Sequence, residues 1–153
     1  MPFSIRQAAT ADVDVILSAY EWLFEAPGQC PETWDETAAR QRLEKLVVEE
    51  SATAFVAIRS LDATLAGFCT AYLDLDSVRY GPRCWVEDLA VAPDSRGRGI
   101  GNDLLDSAAA WARESGASHL ELDTGTARTD SRRFYEARKP QAEGISYHWS
   151  LAT

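Results

Sequence analysis

The most informative segment of the chain runs from Trp85 to Asn102 and reads WVEDLAVAPDSRGRGIGN. Its first half is a strand candidate, its last residues open a helix, and Gly97, Gly99 and Gly101 lie between the two. Glycine admits positive φ and lets a ligand approach the backbone without a Cβ in the way. Successive amide N–H groups in such a loop converge on an anion, and the following helix adds its positive end. The segment therefore predicts a pyrophosphate-binding loop.

Two well-known phosphate-binding loops do not match this segment. A Walker loop reads GxxxxGKS or GxxxxGKT, and the dinucleotide fingerprint GxGxxG needs a third glycine where Asn102 stands. The spacing that fits is Arg96-x-x-Gly99-x-Gly101, in which Arg96 and Arg98 add positive charge. A tight strand-to-helix turn with incidental glycines is the alternative.

The sequence on either side of the loop predicts a mixture of strands and helices. Alternating apolar residues indicate strands, whereas apolar residues at every third or fourth position indicate helices. Before the loop these patterns predict strand Ser4–Gln7, a helix capped by Thr10 and ended by Ala26–Pro31, helix Trp34–Glu49, and strands Thr53–Arg59, Leu65–Leu73 and Cys84–Val91. After it they predict helix Gly99–Ser115 with Gly116 as its stop, strand Leu120–Thr124, a helix capped by Asp130 or Thr129 that runs through Ala137, and strand Tyr147–Leu151. This order indicates the α/β class, an α+β mixed sheet in one domain over residues 1–153.

The composition is that of an ordinary globular domain. The 153 residues are 46% apolar and 25% charged, with a formal net charge of −9. Such acidity argues against a nucleic-acid partner, which selects a basic face. No apolar run approaches the ~18 residues of a membrane span, and the first residues lack the basic start and apolar block of a secretory signal. We therefore expect a cytoplasmic protein without a nucleic-acid or membrane partner.

Cysteine and histidine are too few and too scattered to predict a metal centre. The three cysteines, Cys30, Cys69 and Cys84, show neither CxxC nor Cys/His spacing, and the histidines are His119 and His148. We expect no bound metal and no disulfide framework.

Acidic residues are concentrated near the start of the chain. Residues 7–39 contain no Lys or Arg, and their seven acids are Asp12, Asp14, Glu21, Glu25, Glu32, Asp35 and Glu36. One interpretation is solvated helix faces with acids in first turns, where the helix dipole favours them. The other is an acidic rim that attracts a cationic substrate.

The chain resembles the GNAT superfamily of N-acetyltransferases, and is closest in motif to its polyamine and aminoglycoside enzymes. Three separate parts carry the resemblance: Asp88–Val91, the acetyl-CoA signature at Arg96–Gly101, and Phe134–Glu136. The resemblance implies an acyl-CoA N-acyltransferase fold with a central, mostly antiparallel sheet of six to seven strands and about four flanking helices. Two places depart from the family pattern, because Arg128 stands where Asn is frequent and Lys139-Pro140 replaces Gly-Phe.

The resemblance also implies acetyl-CoA as the cosubstrate and a set of residues that bind it. The loop amides hold the pyrophosphate, the backbone of Leu89–Val91 pairs with the pantetheine arm as an added strand would, and an N–H there polarises the thioester carbonyl. The implied cofactor-binding residues are Leu89, Ala90, Val91, Arg96, Gly97, Arg98, Gly99, Ile100, Gly101, Asn102 and Ser131.

The acid and base of the reaction follow from the same resemblance. Tyr135 matches the family tyrosine that protonates the leaving thiolate; the alternative is a half-buried helix tyrosine. Glu87 and Asp88 are adjacent in a strand, so only one faces the substrate unless the strand is kinked. By resemblance to polyamine acetyltransferases we favour Glu87 as the general base. Asp123, on the next predicted strand, is the rival, and a strand-end acid without catalytic role is the alternative for either.

These observations predict an enzyme that transfers the acetyl group of acetyl-CoA to a primary amine of a small, cationic acceptor. A homodimer is compatible with the fold. The alternatives are a catalytically silent acyl-CoA-binding or sensor domain, a protein N-acetyltransferase, and a protein-interaction module that uses the acidic segment. Retention of both Glu87 and Tyr135 counts against the silent domain, and the glycine loop counts against the interaction module.

Overall fold

The computed structural model of the protein describes residues 2–151. Backbone contacts divide these residues into two compact units, one ending at Leu122 and the other beginning at Asp123. Each unit is described by itself.

The first unit is built on a five-stranded sheet in the order β1-β2-β3-β4-β5. Neighbouring strands from β1 to β4 are antiparallel, and β5 runs parallel to β4. The strands are β1 Phe3–Gln7, β2 Ala52–Arg59, β3 Leu65–Ser77, β4 Gly81–Val91 and β5 His119–Glu121. The mixed α/β class that the sequence predicted is confirmed, but within residues 2–151 the sheet has five strands where we predicted six to seven.

Helices connect and cover the strands. Four belong to the first unit: α1 Val13–Ala19, α2 Glu21–Phe24, α3 Glu36–Leu46 and α4 Ile100–Glu114. Single turns of 3-10 helix precede α1 at Thr10–Asp12 and open the glycine loop at Pro93–Ser95. The second unit contains α5, Thr129–Ala137.

The two faces of the sheet pack against different helices. On one face the Phe68 ring of β3 contacts the rings of Tyr20 and Trp22, at centroid distances of 5.0 and 6.4 Å. On the other face a Cβ at Gly67 would lie 3.1 Å from side-chain atoms of both Ile100 and Leu104, so α4 packs directly on the backbone there. The glycine is needed for this close approach. Both faces of the central strands are therefore buried.

An irregularity in β4 shapes one part of the sheet. Asp88 pairs with Thr70 and Val86 pairs with Ala71, so Glu87 is an extra residue without a partner on β3. Such a β-bulge kinks the strand and turns its side chains. This bulge lies in the middle of the segment that the sequence singled out.

Several predicted elements differ from the observed ones. The predicted first long helix is interrupted at Tyr20. The predicted Thr10 cap was wrong: Thr10 begins the 3-10 turn, whose N-cap is Ala9, and the Ala9 N–H donates to the Asp12 carboxylate at 2.8 Å. The predicted strand Leu120–Thr124 is observed as the shorter β5.

The predicted last strand, Tyr147–Leu151, was wrong. The alternating residues Ile145, Tyr147, Trp149 and Leu151 are 74–93% exposed, and no strand within residues 2–151 pairs with their backbone. Alternation indicates a strand only when a neighbouring strand is available for pairing.

Candidate active site

The bulge in β4 brings two carboxylates to one place. The sequence argument allowed only one of Glu87 and Asp88 to face the substrate without a kink, and the bulge supplies that kink. Trp85, whose indole Nε1 donates to Glu87 Oε2 at 2.6 Å, pairs with Tyr72 on the β3 face that also carries Thr70, the partner of Asp88. Both carboxylates therefore lie beside the face on which the first helices pack.

Asp88 is the more enclosed of the two carboxylates. It is half-buried, whereas Glu87 is exposed. Its Oδ2 accepts a hydrogen bond from the Tyr20 hydroxyl at 2.6 Å and a longer one from the Thr70 hydroxyl at 3.4 Å. The Asp88 N–H donates to the Thr70 hydroxyl at 3.2 Å. Hydroxyl groups from α1–α2 and from β3 thus hold this aspartate.

Burial and the adjacent negative charges shift the ionisation of this cluster. Burial, with a contribution from Glu87, raises the pKa of Asp88, although the hydrogen bonds from Tyr20 and Thr70 act in the opposite direction. Burial, with Asp88 and Glu87 nearby, raises the pKa of Tyr72 to about 12. The pKa of Tyr20 is raised further still, chiefly by burial and then by Asp88, so its hydroxyl remains a hydrogen-bond donor.

No basic side chain neutralises these carboxylates. Within residues 2–151, none of the ion pairs includes Glu87 or Asp88. Neutral donors, the Trp85 indole and the Tyr20 and Thr70 hydroxyls, bind them instead. Two uncompensated carboxylates attract a cation and are able to take a proton from it.

Aromatic rings pack around the Tyr20 end of this cluster. The Tyr20 ring lies 5.8 Å from the Trp34 ring and 6.3 Å from the Phe24 ring, and the latter two meet edge to face at 4.9 Å. These contacts join the end of the first helices to the residue that precedes the acidic start of α3. Their packing fixes the position of the Tyr20 hydroxyl.

The glycine loop has the backbone conformation that its sequence indicated. Gly97 and Gly99 have φ of +75° and +82°, values that residues with a Cβ rarely adopt. A Cβ built at either position meets nothing within 4 Å, so the loop is open on that side. Gly99 is the N-cap of α4 and makes no side-chain cap. The first N–H groups of a helix lack intrahelical acceptors, so this end is suited to an anion.

Contacts within the first unit hold the start of the loop in place. Arg59 of β2 donates from Nη2 to Asp94 at 3.1 Å, and Ser95, which is fully buried, donates to Asp94 at 3.1 Å. Arg96 bonds back to the strand, from Nε to the Val91 carbonyl at 3.2 Å. Arg98 is exposed, and its guanidinium lies 6.0 Å from the ring centroid of Phe3. The loop is thus anchored at its start and open at its glycines.

The Leu89–Val91 part of β4 has an unpaired edge. One edge of it pairs with β3, but β5 pairs only with Arg83–Trp85. Within the described chain, no strand pairs with the other edge of Leu89–Val91. An extended ligand that carries amide groups is able to bind such an edge as an added strand.

The second unit carries the other predicted site residues. Ser131 and Tyr135 are half-buried on α5, and the Tyr135 ring lies 5.2 Å from the Phe134 ring. The predicted cap at Asp130 or Thr129 was wrong, because the N-cap of α5 is Arg128 and Thr129 is already helical. Asp123 is exposed and lies after the end of β5, so its predicted place in a strand was wrong.

The structure also bears on metals, thiols and membranes. Within residues 2–151, no group of three His, Cys, Asp or Glu side chains is placed to hold a metal ion. All three cysteines are free: Cys30 is exposed, and Cys69 and Cys84 are buried. Over the same residues, no helix combines the length and apolarity that crossing a bilayer requires.

Comparison with known proteins identifies the family of this chain. The sequence profile of the acetyltransferase (GNAT) family matches residues 16–139. The chain belongs to the GNAT family. The matched range contains the bulge, the glycine loop and α5.

Individual GNAT relatives and a solved structure are similar to this chain. It is 36% identical to YhdJ, an uncharacterised N-acetyltransferase of Bacillus subtilis (strain 168), over 95 residues, or 62% of this chain and 65% of that protein. It is 30% identical to aminoglycoside N(6')-acetyltransferase type 1 of Serratia marcescens over 101 residues, or 64% of this chain and 68% of the enzyme. The chain thus spans about two thirds of the length of each relative.

The fold matches that of aminoglycoside N-acetyltransferase AAC(6')-Iy, solved in complex with CoA. The TM-score is 0.78 at 21% identity, covering 98% of this chain and 95% of the other. The predicted GNAT fold is confirmed.

Sequence reasoning missed three residues that shape this GNAT site. Tyr20 and Trp85 bind the two carboxylates, and Arg59 anchors the loop. From the sequence, Tyr20 is one of the apolar residues at helical spacing in the first predicted helix. Its contact with Asp88 spans 68 positions of sequence, and no local pattern reports such a contact.

Proposed function

We propose that this GNAT protein transfers the acetyl group of acetyl-CoA to a primary amine of a small acceptor that carries at least two positive charges. The observation that carries the proposal is the β4 bulge, where Glu87 and Asp88 have no basic partner and lie on the strand that leads into the glycine loop. The bulge in this strand is suited to a cation, and the loop that follows the strand is suited to an anion.

The residues of the first unit fit acetyl-CoA, which when bound supplies an acetyl group activated as a thioester. The open, positive-φ backbone at Gly97 and Gly99 and the start of α4 suit its pyrophosphate. The unpaired edge of Leu89–Val91 suits the amides of its pantetheine arm. An N–H of this edge would donate to the thioester carbonyl oxygen, where negative charge develops.

Glu87 is proposed as the general base. An alkyl ammonium has a pKa of about 10 and is not nucleophilic, so a carboxylate must take its proton, directly or through water, before the nitrogen attacks. Glu87 is exposed, and the Trp85 indole orients it without neutralising its charge. Asp123 is the rival base.

Tyr135 is proposed as the general acid, on the strength of its match to the family motif. As the carbon–sulfur bond breaks, the tyrosine hydroxyl gives its proton to the departing thiolate. The new carbon–nitrogen bond leaves one excess proton on the nitrogen, and transfer of that proton to the tyrosinate restores Tyr135 as the amide and the free thiol leave. Ser131 and the remaining predicted cofactor-binding residues, Arg96, Arg98, Ile100, Gly101 and Asn102, keep their proposed contacts with acetyl-CoA.

The charge of the acceptor is supported by three features. The bulge carboxylates are uncompensated, the first 40 residues are rich in acids, and a relative from Serratia marcescens is named for aminoglycosides. An acidic cleft raises the local concentration of a cation and speeds encounter. A homodimer and a cytoplasmic location stay predictions.

Release of free thiol from acetyl-CoA tests the proposal. The protein is incubated with acetyl-CoA and, in separate reactions, polyamines, aminoglycosides, amino acids and amine-bearing peptides, and products are identified by mass spectrometry. We expect turnover with a polycationic small amine. Turnover with peptides alone would indicate a protein N-acetyltransferase. Calorimetric binding of acetyl-CoA without turnover would indicate a silent acyl-CoA-binding domain and would refute the proposed activity.

A further inference from the structure

We propose that Tyr20 is a positioning residue for the reaction: its hydroxyl holds the Asp88 carboxylate in place as an anion beside Glu87 and thereby sets how tightly the enzyme binds a cationic acceptor. The proposal rests on the proposed function, but the contact on which it depends is measurable without activity. Tyr20 donates to Asp88 across 2.6 Å, from the break between α1 and α2 to the bulge in β4.

Packing leaves the Tyr20 hydroxyl little freedom to point elsewhere. Its ring lies 5.0 Å from the Phe68 ring on β3, in addition to its contacts with Trp34 and Phe24. Aromatic contacts of this kind fix a ring through shape and burial. The packed ring therefore holds the hydroxyl at Asp88.

Among residues 2–151, the groups with a hydrogen bond or electrostatic interaction to Asp88 are neutral or negative. They are the Tyr20 hydroxyl from α1–α2, Thr70 and Tyr72 from β3, and Glu87 from β4 itself. A half-buried carboxylate next to another carboxylate tends to take up a proton. The Tyr20 and Thr70 hydrogen bonds oppose that tendency, since both lower the pKa of Asp88 while burial and Glu87 raise it.

The consequence for an acceptor is a charge that persists at lower pH. With Tyr20 in place, Asp88 remains ionised over a wider pH range and contributes to the attraction of an ammonium group. Removal of the hydroxyl raises the pKa of Asp88, so the acceptor meets a neutral carboxyl on the acid side of the profile. The loss falls on binding more than on turnover, because Asp88 is not the proposed base.

The first experiment measures the ionisation of Asp88 directly. The 13C signal of its carboxyl carbon is titrated in wild type, in Tyr20→Phe and in Thr70→Val, which replaces the second donor without changing its shape. We expect the Asp88 midpoint to move to higher pH in both variants. An unmoved midpoint in the folded Tyr20→Phe protein would overturn the proposal, whatever the activity assay shows.

The second experiment places the effect on catalysis by a double-mutant cycle. We expect Tyr20→Phe to raise the acceptor KM about tenfold on the acid limb, as befits a lost hydrogen bond to a charge, with less effect at alkaline pH and on kcat. In an Asp88→Asn background the same change should have no further effect on KM. Additive losses would show a purely structural role and overturn the proposal.

A matched control removes a hydroxyl elsewhere: Tyr147→Phe, which is 75% exposed in the wild type, should leave both measurements unchanged. A wild-type protein that turns over no amine refutes the proposed function, while the titration still decides whether Tyr20 sets the charge of Asp88. The two failures are therefore distinguishable.

Discussion

The indole Nε1 of Trp85 donates a hydrogen bond to Glu87 Oε2 at 2.6 Å, between residues two apart on the bulged strand. The Trp85 ring is itself covered by the Arg83 guanidinium, 5.1 Å from its centroid. A neutral donor orients the glutamate while leaving its charge available. An arginine in the same place would lower the basicity of the carboxylate and repel an ammonium substrate.

We expect Glu87→Gln to lower kcat roughly 10²-fold, the usual contribution of a general base, with little change in affinity for acetyl-CoA. Steady-state kinetics with the best acceptor, together with calorimetry, would measure the two effects. Asp123→Asn is the matched comparison, because it removes the rival carboxylate. If Asp123→Asn abolishes turnover and Glu87→Gln does not, the base has been assigned to the wrong residue.

A substitution in the glycine loop tests the cosubstrate site. Gly99→Ala forces a Cβ onto a backbone with φ of +82° and into the side of the loop proposed for the pyrophosphate. We expect acetyl-CoA binding to be lost in calorimetry. Gly116→Ala is the control: it has φ of +89° and the same open surroundings, but follows the other end of α4. Both variants should lose about 1–2 kcal/mol of stability. Equal loss of binding in both would indicate that strain, and not contact with phosphate, is responsible.

The parts predicted correctly from the sequence are those that local chemistry decides. Positive φ at Gly97 and Gly99 follows from their place between a strand and a helix, and α5 begins and ends within one residue of its predicted limits. The predicted helix stop at Gly116 is observed as well, with φ of +89°. In each case the residues that determine the conformation lie within a few positions of one another.

The parts that sequence did not predict depend on distant contacts. The bulge at Glu87 contains neither glycine nor proline, so nothing in the local sequence indicates it. The alternation in residues 145–151 indicates a strand, yet pairing depends on a partner strand and not on the segment itself. The hydrogen bond from Tyr20 to Asp88 likewise arises only when the helix packs on the sheet.

The proposed acid is tested in the second unit. Tyr135→Phe should lower kcat roughly 10²-fold, because the thiolate then leaves without a positioned proton donor. Affinity for acetyl-CoA should change much less, since the hydroxyl acts only as the carbon–sulfur bond breaks. Tyr147→Phe is the control within the same unit. Parallel losses of binding and turnover would assign Tyr135 to packing or to cosubstrate binding.

Stability at low pH should depend on Asp12. Its carboxylate, 8% exposed, accepts from both Nη atoms of Arg6 at 2.7 and 2.9 Å and from the Ala9 N–H. The Arg6 hydrogen bond, more than any other influence, lowers the pKa of Asp12 below its ordinary 3.8. The stabilisation is therefore complete above about pH 4 and is lost as pH falls through the lowered pKa.

We expect Asp12→Asn to reduce the free energy of unfolding by about 1–2 kcal/mol at pH 7. The difference from wild type should shrink as the pH falls below 4. Urea unfolding at pH 7, 5 and 3 measures it. Asp76→Asn, an exposed aspartate, should show no such trend. A difference that stays constant with pH would mean that the Asp12–Arg6 contact does not stabilise the fold through its charge.

The last prediction concerns the acidic segment before and at the start of α3. Glu32, Asp35 and Glu36 are exposed, and Arg40, the first basic residue after them, is paired with Asp14. We expect neutralisation of all three to Gln, Asn and Gln to weaken the preference for polycationic acceptors and to flatten the fall of kcat/KM with ionic strength, mainly through KM. Asn at position 35 keeps the N-cap, at which Asp35 accepts from the Ala38 N–H at 3.2 Å, so the helix should remain intact.

A control with the same change in net charge separates local from general electrostatics. Glu50, Glu114 and Glu143 are also exposed, and their joint replacement by Gln removes three negative charges elsewhere in the sequence. If only the first triple variant loses the salt dependence, the charges near α3 steer the acceptor, because salt screens a field beyond ~10 Å at 0.1 M. A salt-independent kcat/KM in the wild type, or a neutral best acceptor, would make the acidic segment a solvated surface without a role in substrate capture.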